Sequence, residues 1–169
     1  MLTNENEALT KLTALFEQHK VAYEMHQHKP VFTVAESHDV GKQIPGAHSK
    51  NLFLKDRKQS FLLVSVLEHK RLDVKAMSKL YGKGGLSFAS AEALDKKLGV
   101  IPGAVTPYGL INDESLAVKF ILDEDFVKHE IVNFHPLRND YTVSVSTTAF
   151  LQFCELIKHP PEIIRIPEL

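Results

Sequence analysis

Two β-forming runs set close together constrain this chain more than any other feature. After the turn-forming pair Pro45-Gly46, Leu52 and Leu54 alternate with Phe53 and Lys55, which is the period of a strand. Gln59-Ser60 marks a turn, and Phe61-Leu-Leu-Val-Ser-Val-Leu67 then reads as a largely buried strand. Together they predict a hairpin with Lys50 and Asn51 at the mouth of its first strand. An ammonium beside an amide at a strand entrance can meet an anionic or carbonyl-bearing ligand. The plainer reading is a surface lysine next to a turn asparagine, and the segment by itself favours it.

The rest of the chain supplies partners for that hairpin. Leu9, Leu12, Leu15 and Phe16 recur at helical spacing between Thr3 and Lys20, and Val21 to His28 alternates as a strand. Thr33-Val-Ala-Glu36 has the form of a capping box opening a short helix that ends at Gly41. Asp73 caps a further helix with Val74, Met77 and Leu80 facing inward, and Ser90 to Leu98 forms another, closed by Gly99. A loop runs from Ile101 to Gly109. Strands follow at Leu116–Leu122, Glu130–Phe134 and Tyr141–Val145, then a helix from about Thr147 to Lys158 and an edge strand at Ile163–Ile166. With 169 residues there is room for one well-cored domain but hardly for two. The expected fold is therefore a single α/β (α+β) domain over 1–169, with a mixed, mostly antiparallel sheet of about seven strands flanked by helices.

Composition narrows the class of function. Hydrophobic residues make up 44% and charged residues 24%, as in ordinary globular proteins. No apolar run approaches the roughly 20 residues that span a bilayer, and the polar start Met1-Leu-Thr-Asn-Glu-Asn-Glu7 is no secretory signal, so a cytoplasmic protein with no membrane partner is expected. The one cysteine, Cys154, lies in the apolar helical run Ala149–Ile157, where a core role is expected over a nucleophilic one. Net charge is only -1, but from Lys42 to Lys83 ten Lys/Arg face three acids. Lys75, Lys79 and Lys83 recur every four residues as a basic stripe. Such polarity suits a polyanion held at one side, and a solvated basic face explains it about equally well.

Two further segments carry ligand-like residues. Gly103-Ala-Val-Thr-Pro107-Tyr-Gly109 offers amides that glycine lets approach a ligand, as in an oxyanion hole, although a plain turn would look the same. Asn133-Phe-His-Pro136 puts His135 at a strand end, where the following proline restricts its backbone to extended geometry. A lone histidine is more often structural than functional.

Taken in order, Gly46 to Asp56 (GAHSKNLFLKD), the Gly-x-x-x-Pro element Gly103 to Pro107, and Asn133 to Thr142 (NFHPLRNDYT) resemble the three signature regions of the YbaK/ProX family of trans-editing aminoacyl-tRNA deacylases. The likeness extends to Pro30-Val-Phe-Thr33 and is greatest to the family's freestanding prolyl-tRNA editing branch. The resemblance implies the mixed α/β fold of the prolyl-tRNA synthetase editing domain and hydrolysis of the ester joining alanine to tRNA(Pro). It casts Lys50 as the group holding the CCA-end phosphate or ester oxygens, with Asn51 beside it, and His135 as a residue positioning the substrate. Gly103, Ala104, Val105, Thr106 and Pro107 would shape the amino-acid pocket and donate amides to the oxyanion. Water would be the nucleophile, with neither metal nor other cofactor. Lys55, Lys75 and Lys79 would contact the acceptor end of tRNA(Pro), and prolyl-tRNA synthetase is a further expected partner. Such a site answers a physical need, since a synthetase pocket gains only about 1–3 kcal/mol against a smaller amino acid and a second sieve must remove the product.

Other readings stay open. Cys-tRNA(Pro) or another small mischarged residue would suit the same pocket, and the fold could serve as a non-catalytic module binding tRNA or a synthetase. A metal hydrolase would draw on His26 and His28, which fall on one face of a strand, but no motif places a third ligand near them.

Overall fold

The hairpin forms, and the sheet grows outward from it. The computed structural model describes residues 2–169, without the side chains of 2–5 and 34. Its first strand, here β2 (Ala47–Lys55), pairs antiparallel with β3 (Phe61–Leu67), Lys50 standing opposite Val66 and Asn51 opposite Ser65. The turn between them is closed by Asp56, whose Oδ1 accepts from the amides of Lys58 and Ser60, both at 2.9 Å. Around this pair lie β1 (Tyr23–Gln27), β4 (Ser87–Phe88), β5 (Val118–Asp123), β6 (Ile131–Phe134), β7 (Tyr141–Ser146) and β8 (Glu162–Ile164). The order across the sheet is β1-β7-β6-β2-β3-β5-β8, with β4 set beside β2. β2–β3, β2–β4, β1–β7 and β6–β7 are antiparallel, whereas β2–β6, β3–β5 and β5–β8 are parallel. The sheet is thus mixed, as expected, with eight strands in place of about seven.

The two faces of the hairpin feed two cores. Phe53, Leu63 and Leu67 point to the larger one, shared with Leu12 and Phe16 of α1 (Leu2–Gln18), Leu94 and Leu98 of α4 (Ala91–Leu98), and Phe150, Phe153 and Cys154 of α5 (Thr147–Leu156). Cys154 is buried there, which pushes its thiol well above the usual range and fits a packing residue, not a nucleophile. Leu54, Leu62, Val64 and Val66 point the other way, onto Met77 of α3 (Val74–Tyr81). The expected inward stripe of α3 needs one correction, because Leu80 is 63% exposed. Tyr81, four residues after Met77, takes the inner position instead and donates its hydroxyl to Glu162 Oε1 at 2.9 Å.

Capping follows the sequence closely. Thr33, Asp73 and Ser90 each accept an amide three residues on, opening α2 (Val34–Gly41), α3 and α4, and Gly99 closes α4 at φ 65°. In the α2 box the Glu36 carboxylate reaches back to the Thr33 hydroxyl at 3.0 Å. Two 3-10 turns, Pro107–Asn112 and Glu124–Lys128, were not anticipated.

Several carboxylates are held in low-pKa settings. Hydrogen bonds from Lys128 and Lys70 bring Asp125 down to about 2, and the Arg138 fork lowers Asp140. Burial would raise Asp113, yet bonds from His159, Val118 and Ala117 leave it below its ordinary 3.8. Because these groups release protons more readily folded than unfolded, their stabilisation is complete above about pH 5 and is lost progressively as pH falls toward 2. Urea midpoints measured at pH 7, 5, 3 and 2 should drop most steeply between pH 5 and pH 2, where these carboxylates titrate.

Candidate active site

The site begins with a gap in the sheet. β2 borrows β6 as a neighbour only at Ala47 and His48, and β4 on the same side only at Leu54 and Lys55. Between them the edge of β2 from Ser49 to Leu52 has no strand beside it, and a cavity of about 170 Å³ opens there. Because the cavity wraps round a free edge, it collects side chains from both faces of the hairpin: Ser49 and Asn51 from one, Lys50 and Glu68 from the other. Lys50 and Asn51 therefore sit within a long strand, not at its mouth as expected. The polar run His48-Ser-Lys-Asn51 gives no apolar alternation, because these positions serve a cavity and not a core.

The remaining walls come from three connections: Val31, Phe32, Thr33 and Ser37 before and within α2, Gly103 and Val105 after α4, and His135 after β6. The connection carrying His135 is tied to the one carrying Phe32. Val31 N–H donates to Asn139 O and Asn139 Nδ2 donates to Val31 O, both at 3.1 Å, and His28 N–H donates to Asp140 O at 3.0 Å. Of the five expected pocket residues, only Gly103 and Val105 line the cavity. Ala104 and Thr106 are fully buried, and Pro107 is buried as the first residue of a 3-10 turn that Thr106 caps through the Tyr108 amide. Extended backbone sends alternate residues to opposite sides, so half of such a loop must face the core. Gly103 lies at φ 91°, a conformation side chains rarely adopt, and a Cβ there would come within 3.9 Å of Phe32. The Gly103 and Val105 amides donate to no acceptor among the described residues.

The polar groups are held in fixed orientations. Ser65 Oγ donates to Asn51 Oδ1 at 2.5 Å, Asn51 Nδ2 donates to Ser49 Oγ at 3.2 Å, and Ser49 Oγ donates to the Asn133 carbonyl at 3.0 Å. This relay fixes the Asn51 amide with one N–H still unspent. Asn133 is clamped in turn by donating to the carbonyls of Pro45 and Ala47 at 3.0 and 3.2 Å. His135 Nδ1 donates to the Tyr141 carbonyl at 2.9 Å, which leaves Nε2 as an acceptor. Burial lowers the imidazole's pKa, and His28 and His48 nearby add to the effect, so the ring is neutral at physiological pH.

Lys50 Nζ donates to the Lys70 carbonyl. Burial and the adjacent Arg71 charge lower its pKa. The position of that carbonyl is set by a buried ion pair that sequence reading missed. Lys70 Nζ lies 3.0 Å from Asp123, which is fully buried, and 2.6 Å from Asp125. Asp123 also accepts from the Leu67 amide at 3.2 Å and caps the turn that follows it. The partners are 53 residues apart, beyond any local pattern, although Asp123 ahead of Glu124-Asp125 carried the signal of a cap.

Lys55, Lys75 and Lys79 are not at the cavity. Lys75 and Lys79 are exposed on α3, which covers the face of the sheet toward which Lys50 points, and Lys55 is half-buried at the far end of β2. His28 is engaged with Lys29 O at 2.8 Å and Thr142 Oγ1 at 2.9 Å, and His26 lies 3.7 Å from Glu24. Among the described residues no helix is long and apolar enough to cross a membrane.

Known proteins resemble this chain across most of its length. The model of the aminoacyl-tRNA editing domain matches residues 28–153. Prolyl-tRNA synthetase associated domain-containing protein 1 of Bos taurus is 39% identical over 163 residues, covering 91% of this chain and 95% of that protein. Prolyl-tRNA editing protein ProX of Acetoanaerobium sticklandii is 34% identical over 142 residues, covering 83% and 86%. A solved structure described as a candidate trans-editing enzyme for prolyl tRNA synthetase superposes with a TM-score of 0.68 at 17% identity, covering 96% and 98%, a likeness of fold. The matched residues contain the whole of the notched sheet edge and all three connections that wall the cavity, and the chain belongs to the aminoacyl-tRNA editing domain family.

Proposed function

We propose that the protein is a trans-editing deacylase that hydrolyses the ester of a small amino acid mischarged onto tRNA(Pro), with alanine as the preferred residue. The observation that carries this reading is the convergence of Lys50, Asn51, Gly103, Val105 and His135 on one small cavity from three separate parts of the chain. Its volume of about 170 Å³ lies below the roughly 300–1,000 Å³ of pockets for drug-sized ligands. It suits a small aminoacyl group, with the tRNA remaining outside.

In the proposed reaction a water oxygen adds to the ester carbonyl carbon, the carbonyl oxygen becomes an oxyanion, and the bond to the ribose oxygen then breaks. One proton of the water ends on the departing ribose oxygen and the other passes to solvent, so the amino acid leaves as its carboxylate. Lys50, whose ammonium keeps further N–H donors beyond the one given to the Lys70 carbonyl, the unspent Asn51 N–H and the Gly103 and Val105 amides are the donors suited to the oxyanion. Neutral His135 holds the terminal ribose or the water through Nε2. Cys154 has no part in this scheme, being sealed in the core. Prolyl-tRNA synthetase is the expected source of the substrate.

The direct test is a deacylation panel of Ala-, Cys-, Ser- and Pro-tRNA(Pro), following release of free amino acid. Rapid hydrolysis of Ala-tRNA(Pro) with Pro-tRNA(Pro) spared is expected. Protection of every ester would identify a binding module instead. The exposed stripe on α3 is the proposed contact for the acceptor stem, so Lys75→Glu with Lys79→Glu should weaken tRNA binding about tenfold or more and flatten its salt dependence. Unchanged affinity at low salt would remove α3 from the interface.

A further inference from the structure

One charged residue of the cavity is unaccounted for by the chemistry above. Glu68 directly follows β3, and its N–H donates to the His48 carbonyl at 3.0 Å, so the hairpin ladder continues and Glu68 stands opposite His48. That register puts it on the same face as Lys50, as a diagonal neighbour, a relation that spans about 7–8 Å between backbones. Its side chain is 12% exposed and lines the cavity. Oε1 is buried and accepts no hydrogen bond among the described residues. Among the described residues the one cationic partner within reach is His38, its Nδ1 at 3.5 Å from a ring that is 64% exposed. Lys50 does not neutralise the carboxylate, since its ammonium is turned to the Lys70 carbonyl. His48 points elsewhere, its Nε2 lying 2.8 Å from Ile44 O.

A buried carboxylate oxygen without a donor is costly, and each such group in a folded protein calls for an explanation. The substrate class offers one. In an aminoacyl ester the α-nitrogen is two bonds from the ester carbon, and when protonated it is repelled by any cation placed to stabilise the oxyanion. A carboxylate beside that cation reverses the repulsion and supplies the acceptor an ammonium needs.

We propose that Glu68 reads the free α-ammonium of the esterified amino acid, so that the cavity accepts aminoacyl esters and rejects N-acylated ones. The inference rests on the deacylase reading and sharpens its substrate class. It is tested with Ala-tRNA(Pro) and N-acetyl-Ala-tRNA(Pro), together with two unreactive probes, 3′-alanylamino-3′-deoxyadenosine and its N-acetyl form. The parent protein should favour the free-amino member of each pair by about 10- to 100-fold. Glu68→Gln, which keeps the shape and removes the charge, should lose most of that preference by weakening the free-amino ligand alone, with the N-acetyl ligand unchanged.

Equal handling of free and acetylated ligands by the parent protein would overturn the proposal while leaving the deacylase reading intact. So would an unchanged preference in a folded Glu68→Gln protein. If no ester is hydrolysed at all, the deacylase reading fails, and the two probe affinities still decide the role of Glu68. Should Glu68→Gln fail to fold, the parent protein's own preference between the probes is the deciding measurement.

Discussion

Lys50→Ala is expected to cut the rate of Ala-tRNA(Pro) deacylation by at least 10²–10³-fold, the loss typical when a donor to a developing oxyanion is removed. Its thermal unfolding should stay close to that of the parent. Activity and stability separate here because Lys50 makes a single hydrogen bond, to the Lys70 carbonyl, at a half-buried position on a strand otherwise held by seven register pairs with β3. A typical hydrogen bond contributes about 0.5–1.5 kcal/mol net. The same ammonium placed against an oxyanion in a partly desolvated cavity acts at lower effective dielectric and is correspondingly stronger. Lys50→Arg should rescue poorly, since a planar fork cannot reproduce a point charge on a flexible stem. Single-turnover deacylation with excess protein, together with a melting curve, checks both halves. Full activity in a folded Lys50→Ala protein would remove the central residue of the proposed mechanism.

Asp123→Ala should be the most destabilising single change available outside the apolar cores, at about 3–5 kcal/mol. Removing this carboxylate takes from the Lys70 ammonium, which is only 7% exposed, its one fully buried partner among the described residues and deprives the Leu67 and Asp125 amides of their acceptor. Burial by itself would depress the Lys70 pKa, and bonds to Asp125 and Asp123 hold it above its ordinary value. Asp125 and Glu168 remain in the variant, but Asp125 is 28% exposed and shared with Lys128 and Glu168 is 3.7 Å away and 50% exposed, so neither replaces a fully buried partner. The double variant Lys70→Met/Asp123→Leu should recover much of the loss, because an apolar pair of similar volume leaves no buried charge unpaired. Urea denaturation of the parent and both variants provides the comparison. A loss below about 1 kcal/mol for Asp123→Ala would mean that water reaches the Lys70 ammonium.

The sequence was informative where structure depends on neighbours in the chain and silent where it depends on distant ones. Leu52 and Leu54 announced the hairpin, and Thr33, Asp73 and Ser90 announced three helix starts, because strand alternation and capping both act over a few residues. The first half of β2 escaped notice for a reason tied to its use, since residues that line a polar cavity cannot also carry an apolar period. Thr106-Pro107 holds the signature of a 3-10 start, a cap followed by proline, within a loop whose motif resemblance points instead to pocket lining. Lys50, Asn51, Gly103, Val105 and His135 were found through motif resemblance. Glu68 and the Lys70–Asp123 pair belong to no motif and emerge only once β3 is laid between β2 and β5.

The division of labour around the notch bears on how such proteins diversify. Lys50 and Asn51 sit on a strand held along its length by β3, whereas most of the remaining cavity wall is made by three connections between elements, the parts of a fold that most readily accept changes of length and sequence. On the proposed reading, selectivity can drift from one amino acid to another through changes in the tethers, while Lys50 and Asn51 stay in place on their strand.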